Sequence, residues 1–431
     1  MSGADPLAIE PIDGALGERT VVVPGSKSIT NRALVCAALA EGTSTLTNVL
    51  HADDTEAMVG CLQALGVEIT VDWDATLTVE GCGGAIPATE ATLDCRLSGT
   101  TSRFILPVAG LGSGRYEVDG GAPLRRRPMG PTIQALRQLG VNVDERGEPD
   151  HLPLELSEGP SFSSGAVTTF SDTSSQFLSG LLLSGPCVRG DDLVVALPEG
   201  SALVSQPYVD MTVAVMDRFG APTHRLEDGG WLVRADGYRS VDLTIEPDAS
   251  AASYFFAAAA LLGGSVTVEG LGTESLQGDV AFVDVLEQMG AEVERSTDRI
   301  TVSGTGVLHG GVFDFTHISD TAQTLAAIAP FADSPVSVTG IGFIRGKETD
   351  RIAAVVTELQ RTGIEATEQV DGFVVHPGTP QPAVTETYDD HRMAMAFALV
   401  GLKVPGIRIA DPGCVDKTFP RYWKVLDALR P

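Results

Sequence analysis

Residues 248–270 read DASAASYFFAAAALLGGSVTVEG, and this stretch contains the pattern on which the whole chain is built. Its first part is apolar on nearly every face of a helix, and a helix of that kind is buried. A pair of glycines and the β-branched run SVTVEG follow, which favour a tight turn and then a strand. The stretch therefore predicts a buried helix that leads directly into a strand.

The same pattern recurs six times along the chain. The turn after each buried helix advances by 72, 76, 74, 70 and 72 residues, at Gly42, Gly114, Gly190, Gly264, Ser334 and Gly406. An amphipathic helix follows each strand, and five of these helices end at a glycine that suits a left-handed C-terminal cap: Gly66, Gly140, Gly220, Gly290 and Gly363. Each repeat is thus expected to hold about four strands, one amphipathic helix and one buried helix, the buried helices lying in 26–42, 99–112, 172–185, 248–264, 319–333 and 389–402.

The sixth repeat is incomplete, because the sequence stops after its amphipathic helix. Residues 1–23 contain two unassigned strand-like runs, LAIEPI and RTVVV, which predict that the N-terminus completes this repeat. Six repeats divide naturally into three and three. We therefore expect one domain from residues 1–20 with 247–431 and a second from 21–246, joined by two crossings that suggest a hinge.

Composition restricts the class of protein. The 431 residues carry a net charge of −28 and are 43% hydrophobic, which excludes a disordered chain and argues against binding to nucleic acid or to an anionic membrane. The N-terminal segment lacks the basic and apolar regions of a signal peptide. The six cysteines form no CxxC pair and are expected to be buried thiols, in keeping with a reducing cytoplasm.

Polar clusters mark the starts of the six buried helices, where free backbone N–H groups attract anions. Eight of the 29 basic residues, including three of only five lysines, lie in these clusters or at the starts of the amphipathic helices. Eight cations match a ligand set with two phosphates and two carboxylates, since each phosphate carries about −1.5 to −2 charge. The eight cations are Lys27, Arg32, Arg103, Arg127, Lys347, Arg351, Arg392 and Lys417.

Each of these residues also has a purely structural interpretation. Ser and Thr at helix starts are usually N-caps, as Asp248 and Asp320 could be, and an Arg there often pairs with a surface carboxylate. The register shared by six repeats favours a common anion site. The phosphate loop of nucleoside triphosphatases is excluded, because neither Lys27 nor Lys347 stands in that motif. No dense His or acid cluster predicts a metal ion.

Eight motifs carry a resemblance to a known family. In chain order they are PGSKSITNRAL, SGTTSRF, RRRPMG, TSSQFLSGLL, SQPYVD, GKETDRI, DDHRMAMA and KTFPRY. With them the chain resembles the enolpyruvyl transferases over essentially its whole length, and within that family the branch that acts on shikimate 3-phosphate. The resemblance implies an α/β (α+β) fold: a two-domain inside-out α/β barrel with six βαβαββ repeats in two pseudo-threefold domains.

The resemblance also implies the chemistry. The enolpyruvyl group of phosphoenolpyruvate passes to the 5-hydroxyl of shikimate 3-phosphate, with release of phosphate, as a step toward chorismate and the aromatic amino acids. The C–O bond of phosphoenolpyruvate breaks through a tetrahedral intermediate, without metal, cofactor or covalent enzyme adduct. We expect a cytoplasmic monomer with only small-molecule partners. Because Gly99 leaves room beside phosphoenolpyruvate, we also expect inhibition by glyphosate, competitive with that substrate.

The resemblance assigns roles by motif. Lys27 contacts both substrates, Asp320 accepts the hydroxyl proton and Glu348 protonates the methylene carbon; these three are the expected catalytic residues. The shikimate 3-phosphate site is expected to contain Lys27, Ser28, Arg32, Ser174, Ser175, Gln176, Ser205, Tyr208, Asp320 and Lys347. The phosphoenolpyruvate site is expected to contain Lys27, Gly99, Thr100, Arg127, Gln176, Glu348, Arg351, His391, Arg392 and Lys417.

Alternatives and departures remain at this stage. The UDP-N-acetylglucosamine enolpyruvyl transferases usually have a reactive cysteine where this chain has Ala122. A silent anion-binding protein on the same fold is a second alternative, although binding alone does not require Asp320 and Glu348. An RNA-processing relative conflicts with the acidic charge. Leu97 and Phe343 stand where the family often has Asn, and Phe104 where it often has Pro.

Overall fold

The structure is a computed structural model that describes residues 6–73, 75–157, 163–201 and 203–430. The chain forms two compact units: unit 1 is Met1–Pro24 with Glu246–Pro431, and unit 2 is Gly25–Ile245. These limits lie four residues and one residue from the domain limits expected from the sequence. Both segments that connect the units are therefore short, and unit 2 is an insertion into unit 1.

The strands are short, as in a chain built from many small sheets. In the described part of the chain they are β1 (Leu7–Ala8), β2 (Glu18–Val21), β3 (Ala40–Thr47), β4 (Glu68–Asp72), β5 (Thr76–Cys82), β6 (Glu90–Asp94), β7 (Arg115–Asp119), β8 (Asn142–Glu145), β9 (Leu154–Ser157), β10 (Ser163–Thr168), β11 (Arg189–Ala196), β12 (Thr223–Arg225), β13 (Trp231–Val233), β14 (Tyr238–Arg239), β15 (Asp242–Thr244), β16 (Gly264–Glu269), β17 (Glu292–Arg295), β18 (Arg299–Gly304), β19 (Gly311–Asp314), β20 (Val336–Thr339), β21 (Ala366–Gln369), β22 (Gly372–Val375), β23 (Val384–Thr385) and β24 (Arg408–Ile409).

The helices alternate with these strands. They are α1 (Lys27–Leu39), α2 (Asp53–Ala64), α3 (Gly99–Gly110), α4 (Ala122–Arg125), α5 (Gly130–Gln138), α6 (Gln176–Ser184), α7 (Gln206–Arg218), α8 (Ala249–Leu262), α9 (Phe282–Gln288), α10 (Ala322–Ile328), α11 (Arg351–Arg361), α12 (His391–Lys403) and α13 (Tyr422–Asp427). Short 3₁₀ helices add Gly185–Cys187, Gly278–Ala281, Ser319–Thr321, Ala329–Phe331, Gly342–Gly346 and Pro412–Lys417. No helix of the described ranges is both long and apolar enough to cross a bilayer.

Each unit contains three sheets, and among the described residues all of them except the three-stranded sheet β1-β24-β23 share one topology. In the order β6-β7-β9-β8, the first two strands are parallel and the remaining neighbours are antiparallel. The sheets β10-β11-β13-β12, β19-β20-β22-β21 and β2-β16-β18-β17 follow the same rule. A buried helix precedes the second strand of each parallel pair, which gives the βαβαββ repeat predicted from the sequence.

The N-terminal segment divides between two sheets. β1 pairs with β24 of the sixth repeat, in the three-stranded sheet β1-β24-β23. β2 instead lies parallel to β16, in the sheet of the fourth repeat. The prediction that both runs complete the sixth repeat is therefore wrong for RTVVV, because a strand pattern indicates a pairing edge without indicating the partner. In unit 2, β14 and β15 pair with β3 in the same parallel manner.

The buried helices form the centre of each unit. Helices α8, α10 and α12 contact one another in unit 1, as α1, α3 and α6 do in unit 2. Alanine and glycine allow the strands to approach them closely: a Cβ at Gly304 of β18 would lie 1.8 Å from the Ala259 carbonyl oxygen of α8. The same approach recurs in unit 2, where a Cβ at Gly81 of β5 would lie 2.2 Å from the Ala40 carbonyl oxygen.

The amphipathic helices end as the sequence predicts. The five C-terminal glycines have φ between +78° and +104°, in the left-handed region where glycine has no steric penalty. Because these helices end sharply, the following strand returns to the sheet of the same repeat. Polar side chains cluster instead at the N-termini of the buried helices.

Candidate active site

In unit 2 a hydrogen-bonded network joins the starts of α3 and α6. Arg103 donates through Nη1 to Gln176 Oε1 (2.7 Å) and to Ser174 Oγ (3.4 Å). Gln176 Nε2 donates to Thr100 Oγ1 (3.1 Å). Since the guanidinium holds the amide oxygen, the Gln176 NH₂ group is directed toward Thr100. The structure thus brings together three residues predicted for the site, with Arg103 as their organiser.

Lys27 begins α1 and forms an ion pair with Asp54 of α2. The distance from Nζ to Oδ2 is 3.2 Å, and the Asp54 side chain is 2% exposed while that of Lys27 is 15% exposed. Asp54 is a partner of a predicted site residue that the sequence analysis did not name, because acidic residues in a first helical turn are ordinarily explained by the helix dipole.

Arg32 is almost completely enclosed. Its guanidinium donates to Thr212 Oγ1 (2.8 Å) and to the carbonyl oxygens of Ser28 (2.8 Å) and Tyr208 (3.0 Å). The group lies 5.2 Å from the ring centroid of Phe104. Burial lowers the pKa of Arg32 to about 10, so it keeps its charge at neutral pH. It links α1 to α7 in the substrate-free chain.

Arg127 lies against the first residue of α3. A Cβ at Gly99 would come within 2.4 Å of the Arg127 Nη1 atom, so glycine is the residue that permits this approach. Ser98 caps the helix by accepting from the Thr101 N–H at 3.1 Å. The positive side chain and the helix N-terminus are therefore adjacent, and both attract an anion.

Serine side chains line the same part of unit 2. Ser174, Ser175 and Ser205 are all buried, whereas Tyr208 is partly exposed. Ser205 precedes α7 with φ of +52°, a left-handed conformation that a non-glycine residue adopts only when its surroundings hold it there. Such strain is common at ligand sites.

Arg351 is the centre of the cluster in unit 1. Its guanidinium donates to Asp390 Oδ2 (2.8 Å), Glu348 Oε2 (2.8 Å) and Asp320 Oδ1 (3.1 Å). Only 2% of the side chain is exposed. Burial disfavours its charge, but the carboxylates of Asp390, Glu348 and Asp320 outweigh burial and raise the pKa of Arg351 above its ordinary value.

Two further cations complete this cluster. Arg392 donates through Nη2 to Asp320 Oδ2 (2.6 Å), and Lys417 donates to Glu348 Oε1 (3.0 Å). Each of the two predicted acid–base residues is therefore held between two cations, one of which is Arg351. Asp248 caps α8 by accepting from Ala251 N–H (2.9 Å), whereas Asp320 makes ion pairs and is not a cap of this kind.

The start of α12 is enclosed by protein. Asp390 caps the helix by accepting from the Arg392 N–H (2.9 Å) and is 0% exposed. His391, predicted to contact phosphoenolpyruvate, is 1% exposed, with Nδ1 3.7 Å from Asp390 Oδ1. Asp390 is therefore a structural anchor of the cluster that the sequence analysis quoted but did not assign.

A buried carboxyl lies behind the cluster. Asp279, in the 3₁₀ helix Gly278–Ala281, accepts a hydrogen bond from the Ser250 hydroxyl of α8. Burial and the neighbouring charge of Asp320 raise the pKa of Asp279 to about 7. No motif in the sequence indicates this residue, because a lone Asp after a glycine is typical of a turn.

The departures from the family pattern lie beside site cations. Phe343 is 5.9 Å (ring centroid) from Lys347 Nζ, as Phe104 is near Arg32. Cation–π contacts of this kind hold a cation in place without supplying a charge. Leu97 is 38% exposed, and its Cδ2 lies 2.7 Å from where a Cβ of Gly121 would be. The aromatic departures thus support the cations.

The fold and these clusters define a class of protein: a six-repeat α/β scaffold whose helix starts present cations and carboxylates suited to a small substrate with several anionic groups. Among the residues that the structure describes, no group of three or more His, Cys, Asp or Glu side chains is placed to hold a metal ion. The six cysteines are free thiols.

Comparison with known proteins defines the family. A family model described as EPSP synthase (3-phosphoshikimate 1-carboxyvinyltransferase) matches residues 14–426. A 3-phosphoshikimate 1-carboxyvinyltransferase of Nostoc punctiforme is 46% identical over 97% of this chain and 96% of its own, and one of Burkholderia ambifaria is 43% identical over 99% of each. The chain therefore belongs to the EPSP synthase family.

Solved structures confirm the fold. An EPSP synthase from Acinetobacter baumannii superposes with a TM-score of 0.82, covering 99% of this chain and 98% of its own, at 24% sequence identity. The resemblance noted from the eight motifs and the predicted two-domain α/β fold are thus both confirmed. The roles of individual residues are not tested by these similarities and remain predictions.

Proposed function

We propose that this chain transfers the enolpyruvyl group of phosphoenolpyruvate to the 5-hydroxyl of shikimate 3-phosphate and releases inorganic phosphate. One observation supports this chemistry most: Asp320 and Glu348 are held by the cations Arg351, Arg392 and Lys417. These cations are the ones expected to bind phosphoenolpyruvate. An anionic substrate competes for them and leaves both carboxylates available for proton transfer.

The proposed reaction balances with these two groups. Asp320 accepts the proton of the 5-hydroxyl as its oxygen attacks C2 of phosphoenolpyruvate, and Glu348 gives a proton to the methylene carbon. The tetrahedral intermediate then loses phosphate through C–O cleavage, and the proton held by Asp320 passes to the departing phosphate. The Glu348 carboxylate takes back a proton from the new methyl group, which restores the double bond. Lys27 neutralises charge on both substrates during these steps.

Most of the side chains assigned to the phosphate of shikimate 3-phosphate are buried. Ser174, Ser175 and Ser205 are buried, and a phosphate bound to their hydroxyls would replace few water contacts. Lys347 adds positive charge for the phosphate, and Arg32 with Ser28 is assigned to the ring carboxylate. Gln176 contacts both substrates, with its amide orientation set by Arg103.

The phosphoenolpyruvate residues are assigned by the resemblance. In unit 2 Arg127 lies beside the N-terminus of α3, next to Gly99 and Thr100. In unit 1 the assigned cations are Arg351, Arg392 and Lys417, with His391 at the start of α12. Glyphosate is expected to inhibit in competition with phosphoenolpyruvate, and full activity in excess glyphosate would refute this assignment.

Two alternatives are weighed against the proposal. The relatives at 41–46% identity are 3-phosphoshikimate 1-carboxyvinyltransferases, which disfavours UDP-N-acetylglucosamine as acceptor, as does Ala122. A silent anion-binding protein needs no acid or base, yet Lys27, Asp320 and Glu348 are all present. Neither alternative has a specific structural observation in its favour.

The experiment that tests the proposal varies the substrate that accepts the enolpyruvyl group. Phosphate release is measured with phosphoenolpyruvate and either shikimate 3-phosphate or UDP-N-acetylglucosamine. We expect release with shikimate 3-phosphate alone. Release only with the UDP-sugar contradicts the proposed acceptor. Release with neither acceptor, from a folded chain, favours the silent anion-binding protein. In that case Leu97 and Phe343 are the first residues to replace with Asn.

We infer further that the enzyme acts in the cytoplasm as a monomer, with small molecules as its only partners. Few large hydrophobic side chains are exposed among the described residues, as at Val22, Val312 and Val370, and this supports a monomer. Sedimentation equilibrium tests this inference, and a concentration-dependent rise in mass contradicts it.

A further inference from the structure

The segment before α12 has an unusual backbone. Tyr388 and Asp389 are consecutive non-glycine residues, and each has φ of +57°. A left-handed conformation is unfavourable for such a residue and persists only where the surrounding structure imposes it. The segment leads directly into Asp390 and Arg392 of the unit 1 cluster. Something in the fold must therefore hold 388–389 in this conformation.

Glu358 provides the contacts. It lies on α11, is 0% exposed, and accepts hydrogen bonds from the Tyr388 hydroxyl (2.6 Å) and from the backbone N–H of Glu386 (3.0 Å). Arg361, one turn along the helix, places Nε 3.3 Å from Glu358 Oε2. A fully buried carboxylate is uncommon unless its partners are fixed. Each carboxylate oxygen thus accepts a hydrogen bond from segment 386–388.

Helix α11 holds the segment at two places. Arg351, its first residue, donates to Asp390, and Glu358, two turns later, accepts from Glu386 and Tyr388. The side chains of one rigid helix therefore contact both sides of the left-handed pair. Asp390 accepts from Arg351 and also caps α12 by accepting from the Arg392 N–H. The position of Arg392 relative to Arg351 is therefore set through Asp390.

We propose that Glu358 is a positioning residue, which holds segment 386–389 in its left-handed conformation and thereby places Arg392 to bind phosphoenolpyruvate. This inference rests on the proposed function for its kinetic consequence. Glu358 does not contact substrate, because it is fully enclosed within unit 1. It acts through the backbone that it restrains.

The principal variant is Glu358→Gln. The glutamine fills the same volume, but its NH₂ group cannot accept a hydrogen bond, so the Tyr388 hydroxyl or the Glu386 N–H loses its acceptor. When segment 386–389 relaxes from its left-handed conformation, Arg392 is displaced, and the KM for phosphoenolpyruvate is expected to rise about tenfold. The KM for shikimate 3-phosphate is expected to stay within about twofold, since no residue assigned to it follows segment 386–389 directly in the chain, as His391 and Arg392 do.

A control and a rescue separate positioning from general destabilisation. Val356→Ala removes buried volume from the same helix and leaves the hydrogen bonds of Glu358 to the segment in place, so we expect an unchanged KM for phosphoenolpyruvate despite lower stability. Asp389→Gly removes the steric cost at one left-handed position, so in that background Glu358→Gln is expected to change the KM less than about threefold. An equal factor in both backgrounds overturns the proposal.

A second readout does not depend on turnover. Hydrogen exchange of backbone amides 386–390 is measured in the unaltered chain, in Glu358→Gln, and in Tyr388→Phe as a milder variant that folds without the hydroxyl. Faster exchange confined to this segment supports the proposal, and unchanged exchange overturns it. If the unaltered chain releases no phosphate, the proposed function fails while this measurement still decides the role of Glu358.

Discussion

At the scale of single residues, Arg351 and its three carboxylate partners show how an acidic protein makes a site for anions. Asp320 and Glu348 accept hydrogen bonds from the Arg351 guanidinium, which is assigned to phosphoenolpyruvate. The carboxylates thus form ion pairs with the cations, and a more highly charged anion competes with them for these cations. The acid–base residues and the binding residues are therefore one coupled network.

Glu348 is the residue whose loss should affect the chemical step most. Glu348→Gln keeps the shape and a hydrogen-bond acceptor for Lys417 but removes the acid, so kcat is expected to fall about 10²–10⁴-fold, the usual range for general acid–base catalysis. The measurement is the rate of phosphate release at saturating substrates. Glu368→Gln, which alters a surface partner of Arg345, is the matched control and should retain activity. Near-normal turnover in Glu348→Gln contradicts the assigned role.

Asp279 makes stability depend on pH. Its pKa is about 7 in the folded chain and near 3.8 when unfolded, so the folded chain retains a proton that the unfolded chain has released. The stability that Asp279 contributes is fully present below the unfolded pKa and is lost as pH rises through the folded pKa. The stability of Asp279→Asn relative to the unaltered chain is therefore expected to increase as pH rises from about 5 to about 8, a range that contains the folded pKa.

Denaturant unfolding of both proteins across this pH range measures the effect of Asp279. Since other titrating groups are common to the two chains, they cancel in the difference between the two free energies of unfolding. A difference that does not vary with pH contradicts the raised pKa of Asp279.

At the scale of elements, glycine has opposite effects at two positions of unit 2. Gly81→Ala would place a Cβ 2.6 Å from the Ala37 carbonyl oxygen of α1, so the backbone of β5 or α1 must move, at a cost of about 1–3 kcal/mol or more. Gly60 lies inside α2 with nothing within 4 Å of its Cβ position, so Gly60→Ala should stabilise the helix by about 0.5–1 kcal/mol.

Thermal unfolding of the two glycine variants tests the close approach of strand and helix. We expect Gly81→Ala to melt below the unaltered chain and Gly60→Ala above it. Equal melting temperatures for the two variants contradict the packing described for the repeat.

The repeats and helix starts could be predicted from the sequence because they depend on local patterns. The glycine caps at Gly66 and Gly290 and the apolar α8 are examples. The partner of β2 could not be predicted, since the hydrophobic pattern of RTVVV suits any sheet edge of the same polarity. Asp54, Asp279 and Glu358 were missed for a similar reason: each acts through a residue distant in sequence.

At the scale of the whole molecule, the central claim is that this chain breaks the C–O bond of phosphoenolpyruvate while transferring its enolpyruvyl group. A chain with net charge −28 must concentrate cations locally to bind two anionic substrates together. That arrangement would equally suit a phosphatase, which breaks the P–O bond. The bond that is cleaved therefore separates the proposed transfer from simple hydrolysis.

The most direct measurement uses phosphoenolpyruvate labelled with ¹⁸O at the bridging oxygen, together with shikimate 3-phosphate, and analyses the products by mass spectrometry. The account predicts that the label leaves in inorganic phosphate and that shikimate 3-phosphate gains an unlabelled enolpyruvyl group. Label retained in pyruvate, with shikimate 3-phosphate unchanged, would contradict it.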